Sequence, residues 1–278
     1  MGRRQAIMTE RLIANPGERR EAVLQLIRSA RRRLALSVFR CTDFKILDEL
    51  AAALERGVEV RLLFTRRAKG WSKRLDLIRS YTESMGVGVR QYAGPESKYH
   101  AKYGVADDGP GFVASLNFTH KCLDTTCDFL LLTRDPEVVS GLWKLFEADW
   151  GEPGAALPDD IGQRLIVGPE NARARLRALF EQARRSIHIV DHKVDDEEFA
   201  DLLERKRRQG VAIDVVTSVP ANLLPHGKMF LIDGETLVVG SASLSRASLD
   251  ARRELALVVR DQGCVAEAGA LFQKGIFQ

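Results

Sequence analysis

The chain has 278 residues, of which 45% are hydrophobic and 29% charged, and a formal net charge of +4. That composition fits one large folded domain or two small ones and excludes collagen, coiled coil and disordered tail. The longest apolar runs, such as Leu34–Phe39 and Phe129–Thr133, fall far short of the roughly 18–20 residues a membrane span needs, so no transmembrane segment is expected.

The first residues, MGRRQAIMTERLI, carry charge but no apolar stretch, so no secretory signal is expected, and Ala6 stands where a myristoylation signal after Gly2 needs Ser or Thr. Reading on, the apolar spacing of Val23, Leu26, Ile27 and Ala30 predicts a helix over Glu18–Ala30. A buried strand follows at Leu34–Phe39, then a helix at Phe44–Arg56 closed by Gly57, then a strand at Val58–Phe64. This is a β-α-β unit, whose two strands should be parallel neighbours. A basic run from Arg66 to Arg74 encloses Trp71. It suits a phosphate backbone, an anionic membrane surface or a plain solvated loop. A helix near Ser72–Met85 and a strand near Val87–Tyr92 come next, and then a hairpin, with His100–Asp107 turning at Asp108–Gly111 into Phe112–Leu116.

The pattern then restarts. Arg11-Leu12-Ile13 reappears as Arg164-Leu165-Ile166, Ala30-Arg31-Arg32 as Ala183-Arg184-Arg185, and Gly57-Val58 as Gly210-Val211, each 153 residues later. The second copy predicts a helix at Asn171–Ala183, a strand at Ser186–Val190, a helix at Glu197–Gln209 and a strand at Val211–Thr217. It ends in a hairpin, His226–Asp233 with Thr236–Ser241, and lacks the extra helix and strand. The chain is an internal repeat, divided into an N-terminal half, 1–155, and a C-terminal half, 156–278.

Each hairpin carries the same chemistry. His100, Lys102 and Asp107 recur as His226, Lys228 and Asp233, Ser115 and Asn117 as Ser241 and Ser243, and Asp128 as Glu254, all with identical spacing from the histidine. In a strand, residues two apart share a face, so His100 should project beside Lys102 and His226 beside Lys228. Lysines, hydroxyls and an amide suit the oxygens of a tetrahedral oxyanion. Two imidazoles supply a nucleophile and a general acid, and two carboxylates can each orient an imidazole. In-line displacement at a phosphodiester needs an attacker on one side and a proton donor on the other. The lysines carry the positive charge a metal would otherwise bring, so no metal and no cofactor is expected. Cys41, Cys122, Cys127 and Cys264 form no C-x-x-C pair and are read as packed or free thiols.

These residues resemble the phospholipase D superfamily, whose signature is H-x-K-x4-D followed by G-S-x-N, and the resemblance covers nearly the whole chain. It implies an α/β fold of two pseudo-twofold-related halves, their mixed sheets packed around one shared active site, and a two-step reaction through a covalent phosphohistidine. It assigns the nucleophile to His100 and the leaving-group proton to His226. Lys102, Lys228, Asn117, Ser243 and the pair Ser115 and Ser241 would hold phosphate oxygens, and Asp128 and Glu254 would orient the histidines. Asp107 and Asp233 belong to the signature and are counted with the catalytic set, although strand ends suit them better to supporting a turn. Ala114 replaces the family glycine, Ser243 the asparagine and Asp128 a glutamate.

The resemblance implies a metal-independent phosphodiesterase that hydrolyses or exchanges phospholipid head groups. The alternative is an endonuclease on DNA or RNA, and a further one a non-catalytic module that binds nucleic acid or anionic membrane. A monomer suffices, located in the cytoplasm or peripherally on a membrane. Outside the motifs, His188 is read as a core residue and His120 as solvated. His192 and Lys193 follow a strand at the end where open α/β sheets bind ligands, and the repeat pairs them with Phe39 and Arg40. A substrate-facing role for Arg40 or Lys193 and simple surface charge stay open. The Arg205–Arg208 run is read as a solvated helix face.

Overall fold

The computed structural model describes residues 9–68, 70–151, 154, 156–216, 219 and 222–273. Gly2, Ala6, Lys69 and Thr217 lie outside the described residues. The first half runs β1 (Glu10–Ile13), α1 (Pro16–Ser29), β2 (Arg33–Val38), α2 (Phe44–Glu55), β3 (Glu59–Phe64), α3 (Ser72–Ser84) and β4 (Gly88–Gln91). It continues β5 (Lys98–Tyr99), β6 (Tyr103–Ala106), β7 (Gly111–Ala114), α4 (His120–Asp124), β8 (Thr126–Cys127), β9 (Leu130–Thr133) and α5 (Pro136–Gly151). The second half runs β10 (Leu165–Gly168), α6 (Ala172–Gln182), β11 (Ser186–Val190), α7 (Glu197–Arg208), β12 (Ala212–Val216) and β13 (Leu224–Pro225). It ends β14 (Met229–Ile232), β15 (Thr236–Gly240), α8 (Arg246–Asp250), β16 (Arg252–Val259) and α9 (Gln262–Gln273).

The predicted elements appear within two residues of their expected ends, except that the histidine-bearing strands start late, at Tyr103 and Met229. Gly57 and Gly210, the predicted helix stops, have φ of 81° and 86°, a backbone region open to glycine at little cost. Each half builds one mixed sheet. The first has the order β1-β9-β7-β6-β2-β3-β4 and the second β10-β16-β15-β14-β11-β12. The β2–β3 and β11–β12 pairs are parallel, as the β-α-β reading requires, and the hairpin strands run antiparallel beside β2 and β11.

Strand alternation sorts the core into layers. Leu34 and Leu36 of β2 face α1 and α2 through Val23, Ile27, Leu47 and Leu50. Ile187 and Ile189 of β11 likewise meet Leu176, Phe180, Phe199 and Leu202 of α6 and α7. Between the sheets, Ala35, Val105 and Val113 share one buried cluster with Met229, Leu231, Val239 and Leu257, and α5 adds Leu142 and Phe146. The two sheets thus pack through a common core with helices outside. His188 is a correction to the sequence reading: it is half-buried on β11, its ring 5.0 Å from that of Phe272 and its Nδ1 3.5 Å from Asp214. In the Arg205–Arg208 run, Lys206 turns inward and donates to the carbonyl of Glu181 at 2.8 Å, while its neighbours stay exposed. No helix among the described residues is long and apolar enough to cross a membrane.

The repeat extends to charges that the sequence reading passed over. Arg20 bridges Asp43 at 2.9 Å and Asp124 at 2.7 Å. Its counterpart Arg173 bridges Asp196 at 2.6 Å and Asp250 at 2.7 Å. Asp43 and Asp196 also cap α2 and α7, accepting from the N–H groups of Ile46 and Phe199. Each arginine therefore ties the first two helices of its half to the short helix after the hairpin.

Candidate active site

Each histidine is delivered by a strand that crosses to the opposite half. After β4 the chain leaves its own sheet, and β5 pairs in parallel with β16, Lys98 opposite Arg252 and Tyr99 opposite Arg253. The His100 N–H donates to the Arg253 carbonyl at 2.8 Å. In the second half β13 pairs with β8, Leu224 opposite Thr126, and the Gly227 N–H donates to the Cys127 carbonyl at 2.7 Å. His100–Lys102 and His226–Lys228 lie in the breaks before β6 and β14, not within a regular strand as expected, because their backbone changes partner there.

The crossing pairs each imidazole with the other half's carboxylate. His100 Nδ1 lies 2.9 Å from Glu254 Oε2, and His226 Nδ1 lies 2.9 Å from both oxygens of Asp128. The sequence leaves open which carboxylate serves which histidine; the structure joins each to the histidine of the other half. Both carboxylates are buried and held by hydroxyls. Ser115 Oγ donates to Asp128 at 2.6 Å, Thr126 Oγ1 also donates to it, and Ser248 Oγ donates to Glu254 at 3.1 Å. Burial alone would raise the Asp128 carboxyl, but the charge and hydrogen bond of His226, with those of Ser115 and Thr126, hold it at about 2. Burial opposes ionisation of Glu254 in the same way, and the His100 contact, Lys102 and Ser241 bring it to about 2. Both stay ionised near neutrality. Burial dominates at His100, pushing its pKa down to about 3 against the pull of Glu254, so this ring is neutral and its Nδ1–H donates to the Glu254 carboxylate.

Lys102 is fully buried and Lys228 nearly so, and each Nζ donates to the carbonyl of its own histidine. Burial, with Lys228 and Lys98 adding to it and Glu254 opposing, lowers Lys102 to about 7. Other phosphate-ligand candidates are placed differently. The single proton of Ser115 goes to Asp128, and Ser241 Oγ accepts the Leu255 N–H at 3.1 Å. Ser243 Oγ donates to the Lys193 carbonyl at 3.2 Å. Asn117 is buried, with Nδ2 3.7 Å from Cys122 Sγ and no partner for Oδ1 among the described residues.

Asp107 and Asp233, counted with the catalytic set, are corrected here. They end β6 and β14 with φ of 46° and 55°, and each carboxylate is spent on three backbone amides of the loop before β2 or β11. Asp107 takes those of Arg31, Arg32 and Arg33 at 2.7–2.9 Å, and Asp233 those of Arg184, Arg185 and Ser186 at 2.6–3.1 Å. Four strand residues separate Asp107 from Lys102, so the two lie about 17 Å apart along extended chain. We expect Asp107→Ala to lower unfolding free energy by about 3 kcal/mol, as several charge-accepting bonds are lost, while activity per folded molecule is kept. Paired denaturant titrations and assays check this.

Family comparison now bears on this geometry. A family model described as "Cardiolipin synthase, PLD-like domain" matches residues 23–150 and 218–276. The chain belongs to that phospholipase D-like family. The fold agrees with polyphosphate kinase from Porphyromonas gingivalis at a TM-score of 0.79 and 20% identity, over 95% of this chain and 46% of that one. It also agrees with phosphatidylserine synthase from Haemophilus influenzae at a TM-score of 0.76 and 11% identity, over 96% of this chain and 85% of that one. The chain thus spans less than half the length of the kinase. A search of curated proteins by sequence finds no match.

Several residues of this phospholipase D-like seam were invisible to motif reading. Phe39 meets the His100 ring edge-on at 4.9 Å, and its counterpart His192 stacks on His226 at 6.5 Å. The repeat had flagged both positions, but not their contacts. Arg253 is buried between Glu96 at 3.1 Å, Asp149 at 3.2 Å and Glu170 at 2.6 Å, and so pins β16 under the crossing β5. Cys122, Asp128 and His226 bring donor atoms within 4.8 Å of one another, but the aspartate and imidazole spend theirs on each other. The four cysteines are buried free thiols. His120 is exposed at the start of α4, 3.4 Å from Asp124.

Proposed function

We propose that this chain is a metal-independent phosphodiesterase acting through a covalent phosphohistidine at the seam between an N-terminal half, 1–155, and a C-terminal half, 156–278. The observation that carries the reading is the crossed pair of carboxylate–imidazole couples, His100–Glu254 and His226–Asp128. Two oriented imidazoles with different surroundings suit two opposite proton tasks. Neutral His100 attacks phosphorus through Nε2; an N–P bond forms and the bond to the leaving oxygen breaks. His226 delivers its Nε2 proton to that oxygen. It then takes a proton from water, which cleaves the phosphohistidine and frees His100. Lys102, Lys228 and Asn117 hold the non-bridging oxygens, and Ser115 and Ser241 buttress the carboxylates. One chain carries both couples, so a monomer suffices.

Phospholipid is the leading substrate class, hydrolysed or exchanged at its head group, in keeping with the family description. Nucleic acid is the second reading, favoured by one observation: Arg40 and Arg74 lie 4.5 and 5.2 Å from the ring of Trp71, an aromatic–cation surface that suits a polyanion. The test runs phosphatidylcholine, single-stranded DNA and RNA in parallel with EDTA, each acid-quenched for phosphate on histidine. Choline release alone supports the first substrate and nicking alone the second. No turnover of any diester and no phosphohistidine would leave a binding module.

A pH effect follows from Lys102, whose ammonium must be protonated to hold an anionic phosphate. Because burial lowers it to about 7, kcat/KM should fall above that pH, about tenfold per unit. The limb in kcat should lie higher, since bound phosphate favours the ammonium. In Lys102→Arg the guanidinium keeps its proton and the limb should vanish; a limb unchanged in that variant would assign the titration elsewhere.

A further inference from the structure

Three cations near His100 lack a carboxylate partner, whereas Arg20, Arg61, Arg164 and Arg173 sit in ion pairs. Arg40, Lys98 and Arg252 make no ion pair with a described carboxylate, and the Nε of Arg40 is buried without a hydrogen-bond partner among the described residues. Arg40 and Lys98 gather instead, with Lys102, around one ring. The Lys98 Nζ lies 4.4 Å, the Arg40 Cζ 5.0 Å and the Lys102 Nζ 5.3 Å from the Phe39 centroid, the ring that also touches His100. Arg252 stands opposite Lys98 in the β5–β16 register. Strand periodicity puts these two about 7 Å along the chain from His100 and Glu254, on the same side of the ladder.

Such crowding of like charges is costly. Lys98 is lowered by burial first and then by Arg252, with Arg40 and Lys193 adding to it, while only Glu254, already committed to His100, pulls the other way. The surroundings of His226 share only part of the feature: the repeat keeps a cation, Lys193, at the place of Arg40, but puts His192 at that of Phe39, Leu224 at that of Lys98 and Thr126 at that of Arg252. The fold therefore does not require the charges of Lys98 and Arg252. Lys98 also walls a cavity of about 260 Å³ with Arg66, Arg67 and Ser97, from the basic run the motifs left unexplained. Its one carboxylate, Glu96, is taken by Arg253 and by Tyr92 at 2.6 Å.

We propose that Lys98, Arg40 and Arg252, with Arg66 and Arg67 beyond them, form a second phosphate subsite, so that the substrate carries a further phosphoryl group near the one attacked. This rests on the reading above for where the first phosphate sits. The second group neutralises cations that have no counter-charge of their own, and binding it gains more than a lone diester could. It is joined to the first directly, as in a diphosphate, or through a short linker, as in a sugar–phosphate repeat.

Calorimetric binding tests this without turnover, using full-length protein with inorganic phosphate, pyrophosphate and thymidine 3′,5′-bisphosphate. At least one of the two-phosphate probes should bind tenfold or more tightly than inorganic phosphate, and whichever is tighter names the linkage. Lys98→Met should erase that advantage. Arg208→Gln, on the outer helix α7, changes the net charge equally and should keep it, since an exposed charge more than about 8 Å away is screened. Equal binding of all three probes overturns the proposal, as does an advantage that survives in a Lys98→Met protein with native circular dichroism. Arg252→Gln gives a second route if that variant does not fold. If no diester is turned over but the advantage and its loss are seen, the catalytic reading fails and the subsite stands.

Discussion

His226→Ala should release one equivalent of p-nitrophenol from bis(p-nitrophenyl) phosphate in a burst and then stall. In the proposed mechanism the first step ends with His100 bonded to phosphorus, and a nitrophenolate leaves without being handed a proton. The second step needs His226 to take a proton from water, so steady turnover should drop by about 10³-fold or more. With an alkoxide leaving group even the burst should vanish. His100→Ala should show no burst with either substrate, because it removes the nucleophile. A His100→Ala protein that bursts while His226→Ala does not would reverse the two roles. Steady turnover near wild type in either variant would defeat the shared seam altogether.

The crossed couples predict the second large effect. Asp128→Asn should copy the phenotype of His226→Ala, and Glu254→Gln that of His100→Ala, although each carboxylate follows the other histidine in the sequence. An amide can no longer fix the Nδ1 proton, and losing tautomer and orientation costs about 10²–10⁴-fold. Rapid-quench measurement of the burst in both variants decides it. If Glu254→Gln retained its burst and Asp128→Asn lost it, the carboxylates would serve the histidines of their own halves.

Much of this fold was legible because its signals are local. Capping glycines at 57 and 210, apolar spacing in Val23, Leu26 and Ile27, and the recurrence 153 residues on gave the β-α-β openings of both halves nearly to the residue, while elements such as α5, β16 and α9 were not predicted. The ingredients of the site were legible for the same reason, since His, Lys and carboxylate repeat at fixed spacing. What could not be read is which copy partners which. That depends on β5 and β13, two-residue strands with no periodicity to detect, each paired with the opposite half. The signature aspartates misled in another way. Asp107 keeps a conspicuous spacing for its amides, not for substrate, and nothing in the spacing separates the two uses. Phe39 and Lys98 carry no motif, and their contacts come from the structure alone, Phe39 against His100 and Lys98 over the Phe39 ring.

The exchange of strands between the sheets has a consequence for durability. Neither half completes a carboxylate–imidazole couple by itself, so the two couples cannot be broken separately by anything that parts the sheets. A slight slip between them would withdraw Glu254 from one ring and Asp128 from the other in the same movement. Mild denaturant should therefore silence the protein abruptly, at concentrations where each lobe still keeps its helices.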